Sequence, residues 1–150
     1  MSELQAFDDR LSALIANLSH TSRKQMAAEI AKKLRASQQQ NIKAQRAPDG
    51  TPFAARKKQP VRAKKGRVKR EMFAKLRTNK YMKAKGTSND AAVEFAGSVQ
   101  RMARVHHYGL RDRPSKRSSE KDVQYEARPL LGLANEDLKL IENIIINNIS

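Results

Sequence analysis

The 150-residue chain has no cysteine and no tryptophan, five prolines, six glycines and only 5% aromatic residues. Without cysteine there is no disulfide scaffold, no thiol nucleophile, no iron–sulfur cluster and no cysteine-ligated zinc. So few aromatic rings leave single-stranded nucleic acid little to stack on. The glycines are scattered and build no phosphate-binding loop; Pro48-Asp49-Gly50 is a turn. No apolar run approaches the roughly 20 residues of a membrane-crossing helix. The opening Met1-Ser2-Glu3-Leu4 lacks the basic-then-apolar layout of a secretory leader. The expectation is a soluble protein made in the cytoplasm, with no membrane partner.

Acidic residues are also scarce, 15 against 31 Lys and Arg, for a formal net charge of +16. The excess is localised. Residues 1–41 hold 6 basic and 4 acidic residues, residues 42–85 hold 16 and 2, and residues 86–150 hold 9 and 9. A block of this kind repels itself, stays solvated and attracts polyanions, because each neutralised phosphate releases a condensed counterion. Lys57, Lys58, Arg62, Lys64, Lys65, Arg67, Lys69 and Arg70 are spaced so that an extended or loosely helical segment could follow a DNA backbone without reading bases. The plainer alternatives are a solvated arm that confers solubility and a surface matched to an acidic protein. Base reading has no support: there is no heptad zipper after the basic block, and the helices flanking residues 19–22 look too long and apolar for a helix-turn-helix.

Apolar spacing organises the rest. Leu4, Phe7, Leu11, Leu14, Ile15 and Leu18 fall on one face of a helix over residues 3–18, and Met26, Ile30 and Leu34 predict a second helix extending towards Gln45. Together these form a helical hairpin over 1–45. The Pro48–Phe53 stretch must be a turn. Residues 46–90 read as a basic extended arm, with a short helical stripe at Met72, Phe73 and Leu76. In the remainder, 91–150, Val93, Phe95, Gly97 and Val99 alternate and predict a strand. Gly109 suits a helix C-terminus. Residues 111–122 read as loop and Tyr125–Leu133 as a short strand, while Asn135 caps a final helix lined by Leu138, Ile141, Ile145 and Ile149 and expected to be the most buried. The expected core is Leu11, Leu14, Leu18, Ile30, Leu34, Val93, Phe95, Val99, Leu131, Leu138, Ile141 and Ile145. The fold class is α+β in one domain.

Catalysis finds no constellation. His106-His107 with Asp112 lacks a third ligand at a chelating spacing, and adjacent histidines on a regular element point apart. The basic segment offers only Asp49 and Glu71 as carboxylates, too few to hold the metal ions of a nuclease. No catalytic, cofactor or metal site is expected.

Three motifs in fixed order carry a resemblance: Arg46-Ala-Pro48-Asp49-Gly50-Thr51-Pro52-Phe53, then Val105-His106-His107-Tyr108-Gly109-Leu110, then Ala127-Arg128-Pro129-Leu130-Leu131-Gly132-Leu133 before a terminal helix. With the helical hairpin before them and the basic stretch between, the chain resembles the phage virion morphogenesis proteins, nearest to the tail completion proteins of contractile-tailed temperate phages. The resemblance implies a small α+β fold with a few-stranded antiparallel sheet. It also implies a structural protein of the virion neck and tail, self-assembled as a ring, commonly a hexamer, that caps the head-proximal end of the tail and enables head–tail joining. Implied partners are the tail tube or terminator, the head connector and, non-specifically, double-stranded DNA in the channel. On that reading Pro48, Asp49, Gly50, Phe53, His106, His107, Tyr108, Arg128, Pro129 and Leu130 are expected at subunit contacts, Arg128 pairing with a neighbour's carboxylate or with Asp137. The alternative function is a free, non-specific nucleic-acid-binding protein.

Overall fold

Helix α1 (Glu3–Ala16) is followed by the long helix α2 (His20–Lys43), a hairpin of β1 (Met82–Gly86) and β2 (Ala91–Phe95), a 3-10 turn at Gly97–Val99, helix α3 (Gln100–Tyr108), the short strands β3 (Arg111–Asp112) and β4 (Val123–Gln124), and helix α4 (Asn135–Ile149). This computed structural model describes residues 3–56, 71–113 and 122–149. The architecture is α+β, with two two-stranded sheets among the described residues. Among the described residues no helix is long and apolar enough to cross a membrane.

Two compact units divide the chain. The first comprises residues 1–35, 84–94 and 135–150. Met26, Ile30 and Leu34 of α2 meet Ile144 of α4 in a buried cluster flanked by Ile15, Leu18, Val93, Leu140, Ile141 and Ile145. Spacing by four puts the three α2 side chains on one stripe, the arrangement read from the sequence. Small residues let the hairpin approach: a Cβ at Gly86 would overlap the backbone of Ala27 and Ala28. Lys85 and Glu94 pair across that hairpin at 2.6 Å on exposed side chains.

The second unit comprises residues 36–83 and 95–134. Its fully buried side chains are Ile42, Met82 and Leu130. β3 and β4 are antiparallel, Arg111 opposite Gln124 and Asp112 opposite Val123. Helix α3 ends on Gly109 at φ 68°, with the Leu110 N–H donating to Val105 O at 2.9 Å. This is a left-handed cap that only glycine adopts freely. A side chain there would also strike the backbone of Ala127.

Several sequence expectations change. The alternation from Val93 to Val99 is not one strand: β2 stops at Phe95, and the Gln100 side chain donates from Nε2 to Phe95 O at 3.1 Å, tying the helix start to the strand end. β1 was hidden in the basic stretch because Lys83 and Lys85 interrupt its apolar signal. Residues 111–122 are not all loop, since β3 opens that stretch and pairs with β4 just beyond its end. Tyr125–Leu133 has no partner strand among the described residues. Its N–H groups at 128, 130 and 132 donate instead to His106 O, His107 Nδ1 and the Gln38 side-chain oxygen. Helix α2, not α4, is the most buried: it buries eight residues from Met26 to Ile42, whereas α4 buries Asp137 and Ile144. Of the expected core, Ile30, Leu34 and Phe95 are buried, Leu11, Leu18, Val93, Val99, Leu131, Ile141 and Ile145 are half-buried, and Leu14 and Leu138 are exposed.

Candidate functional site

All eight basic residues expected to contact DNA or an acidic partner, Lys57, Lys58, Arg62, Lys64, Lys65, Arg67, Lys69 and Arg70, lie outside the described residues. The structure does describe where the chain leaves for that segment and where it returns. Both roots are held by side chains distant in sequence.

At the departing root, Arg128 is buried at 7% exposure. Its Nε donates to Ala54 O at 2.9 Å and a terminal nitrogen to Ala55 O at 3.1 Å, across 74 and 73 residues. The planar fork is suited to holding two successive carbonyls, and a buried guanidinium needs such acceptors. These two carbonyls are described partners of the guanidinium. The turn before this root is set by Asp49, whose side chain accepts from the Thr51 N–H at 2.9 Å. That backbone hydrogen bond holds the Asp49 carboxyl below its ordinary range.

At the returning root the clamp is Gln45. Helix α2 ends with the Gln45 N–H on Ile42 O and the Arg46 N–H on Asn41 O. That paired pattern normally places glycine at the left-handed position. Gln45 takes it at φ 57°, a conformation unfavourable for a residue with a Cβ. Its side chain compensates: Nε2 donates to Ile42 O at 2.8 Å and Met72 O at 2.9 Å, and Oε1 accepts from the Met72 N–H at 3.0 Å. The next residue, Phe73, is also left-handed at φ 64°.

Aromatic contacts join the two roots. Phe53 meets Phe73 edge-on with centroids 5.7 Å apart, Phe73 meets His106 at 5.1 Å, and His106 meets Tyr125 at 4.8 Å. Burial, and then the nearby Arg128 charge, lowers the His106 pKa below its ordinary value. Burial alone lowers that of His107. Both rings are thus favoured neutral, and His107 Nδ1 accepts from the Leu130 N–H at 3.0 Å.

The three sequence motifs therefore meet one another inside the second unit. Pro48 lies against Gly132, where an added Cβ would stand 3.0 Å from the proline ring, and Gly109 lies against Ala127. Among the residues expected at subunit contacts, Arg128 and Leu130 are buried and His106, His107, Phe53 and Pro48 partly buried, while Asp49, Gly50, Tyr108 and Pro129 are exposed. Gln45, Met72, Phe73 and Gln38 escaped the sequence reading as members of this cluster. Side-chain-to-backbone clamps leave no periodic trace, and a glutamine in the place of a capping glycine has no composition signal. Among the described residues no group of three His, Asp or Glu side chains stands close enough to hold a metal ion.

The backbone on either side of residues 57–70 is thus held by two clamps, the buried Arg128 and the partly buried Gln45. The chain belongs to the phage virion morphogenesis family, which it matches over residues 2–150. It is similar to the tail completion protein S of Escherichia phage P2, with 47% identity over 147 residues, 97% of each chain. No solved structure matches it.

Proposed function

We propose that this chain is a tail completion subunit, a structural protein of the virion that assembles with itself at the head-proximal end of a phage tail, closes the tail and readies it to join the head. The observation that carries this is the 47% identity to a tail completion protein over 97% of both chains, on top of family membership across residues 2–150. A ring, expected to be hexameric, meets the tail tube or terminator on one side and the head connector on the other. Of the anticipated subunit contacts, Asp49, Gly50, Tyr108 and Pro129 are exposed and are the ones proposed to meet a neighbour.

The segment from Lys57 to Arg70 holds eight basic and no acidic residues. In a neck around packaged DNA it supplies phosphate contacts that ignore sequence, or it seats on an acidic face of a tail or head protein. The same charge supports a second reading, a free non-specific DNA-binding protein.

The test is electron microscopy of an infection in which the gene is deleted. Full heads and separate, unjoined tails accumulating together are expected. Normal joined virions would overturn the proposal. Duplex binding across a salt series would then decide the second reading, which requires tight binding at low salt and a steep loss as salt rises.

A further inference from the structure

The coil from Phe73 to Met82, in the second unit, presents cations that the described fold leaves unpaired. Leu76 and Met82 anchor it, at 3% and 0% exposure. Backbone bonds close it in overlapping turns: the Arg77 N–H donates to Phe73 O at 3.2 Å, the Thr78 N–H to Lys75 O at 3.1 Å and the Met82 N–H to Thr78 O at 2.8 Å. Just before it Gln45 grips Met72, and midway the Gln39 side chain of α2 donates to Asn79 Oδ1 at 2.6 Å. A backbone tied down this way holds its outward side chains in place before any partner arrives, which lowers the ordering cost of binding.

With Leu76 and Met82 turned in, the exposed side chains between 72 and 83 are Lys75, Thr78, Asn79 and Lys80, while Arg77 and Lys83 are half-buried. None of these four cations forms an ion pair among the described residues, and Arg77 Nε has no hydrogen-bond acceptor there. The one carboxylate from 71 to 83 is Glu71, ahead of the residue that Gln45 grips. Two kinds of polyanion compete for such a surface. An acidic protein face would be met through a core of apolar and aromatic side chains in which lysine is scarce. This coil exposes no large apolar side chain and no aromatic ring. Phosphate asks only for cations and short polar donors. Asn79 Oδ1 is taken by Gln39, which leaves the amide nitrogen of Asn79 to donate. Without an exposed ring to stack on bases, the duplex backbone fits better than a single strand.

We infer that the coil from Phe73 to Met82 is a contact for the phosphate backbone of duplex DNA, with Lys75 and Lys80 on phosphates and no base read. The inference rests on the phosphate-contact reading of the basic excess proposed above, and adds to it a surface separate from residues 57–70.

Duplex binding by the full chain, measured by fluorescence anisotropy across a salt series, tests it with Lys75→Gln/Lys80→Gln. A control of equal charge change, Lys32→Gln/Lys33→Gln, alters exposed lysines of the first unit. Circular dichroism confirms that both fold. Losing two phosphate contacts should lower the slope of log affinity against log salt by about 2 and weaken binding at about 0.1 M salt by roughly 10- to 100-fold, equally on duplexes of different sequence. Lys75→Arg/Lys80→Arg should bind as the wild type does, and the control should change little. If the wild-type chain binds duplex and the coil variant keeps its affinity and slope, or the control loses as much, DNA binding stands and this contact falls. If the wild-type chain binds no duplex at low salt, the phosphate-contact reading falls with it. If the coil variant instead loses binding to isolated tails or heads while duplex binding is intact, the surface belongs to a protein partner and the inference is overturned.

Discussion

The two units of this chain carry different charge and hold their backbone in different ways. The first contains 8 basic and 9 acidic residues, the second 23 and 6, so the whole excess of +16 belongs to the second. The first is held by aliphatic burial, with Met26, Ile30, Leu34 and Ile144 at its centre. The second has an apolar core of its own, with Ile42, Leu76, Met82, Phe95 and Leu130 buried, and adds side chains that reach across the chain to grip backbone: Arg128 on residues 54 and 55, Gln45 on 72, Gln38 on 132 and His107 on 130. These clamps fix irregular backbone, and the buried cation among them, Arg128, has its guanidinium satisfied by two carbonyls.

Substitutions can break this contrast. Ile30→Ala, which leaves a cavity in the aliphatic cluster, is expected to have the largest effect, a loss of about 3 kcal/mol in denaturant unfolding. Hydrogen exchange should then rise first in α1, α4 and the early turns of α2. Arg128→Ala strands the Ala54 and Ala55 carbonyls and should cost about 2 to 3 kcal/mol, read as lost protection in the second unit while α4 stays protected. Arg128→Lys should recover little, because an ammonium lacks the planar fork that serves two carbonyls.

Gln45 offers a finer test. Gln45→Ala loses the grip on Met72 and keeps the unfavourable φ, for about 1 to 2 kcal/mol. Gln45→Gly loses the same grip but relieves the backbone and should fall short of that loss. Equal losses would mean that the left-handed conformation costs nothing here. Acid gives the smallest effect. The His106 and His107 pKa values are lowered on folding from 6.5, so the unfolded chain binds protons more readily as the pH drops. Stability should be full above pH 6.5 and decline below it, as His107 Nδ1 gains a proton and ceases to accept from the Leu130 N–H. Unfolding measured from about pH 8 to about pH 5 checks this, with the protection of the Leu130 N–H, relative to its intrinsic exchange rate at each pH, falling at the acid end.

The contrast also explains what was legible in the sequence. α1, α2 and α4 follow from apolar spacing because their packing repeats with the helical period. Gly109 declared the end of α3, since a left-handed cap has a residue of choice. β1 did not show, because its lysines are rim residues and one of them pairs with Glu94. Tyr125–Leu133 read as a short strand with its proline at an edge, and Arg128 and Leu130 do turn inward, yet its hydrogen bonds go to side chains and to a helix carbonyl. At the candidate site the order of the three motifs was visible, but their mutual contact was not. Nothing in a one-dimensional pattern says that an arginine at 128 will hold the carbonyls at 54 and 55.

The central claim is that this chain works at the head-proximal end of a phage tail. The most direct measurement is to label it with a small gold-binding tag in infectious particles and in isolated tails, and to score the label's position by electron microscopy. Label concentrated at the end that meets the head is the predicted result. Label at the opposite end, spread along the tail, or absent from particles would contradict it.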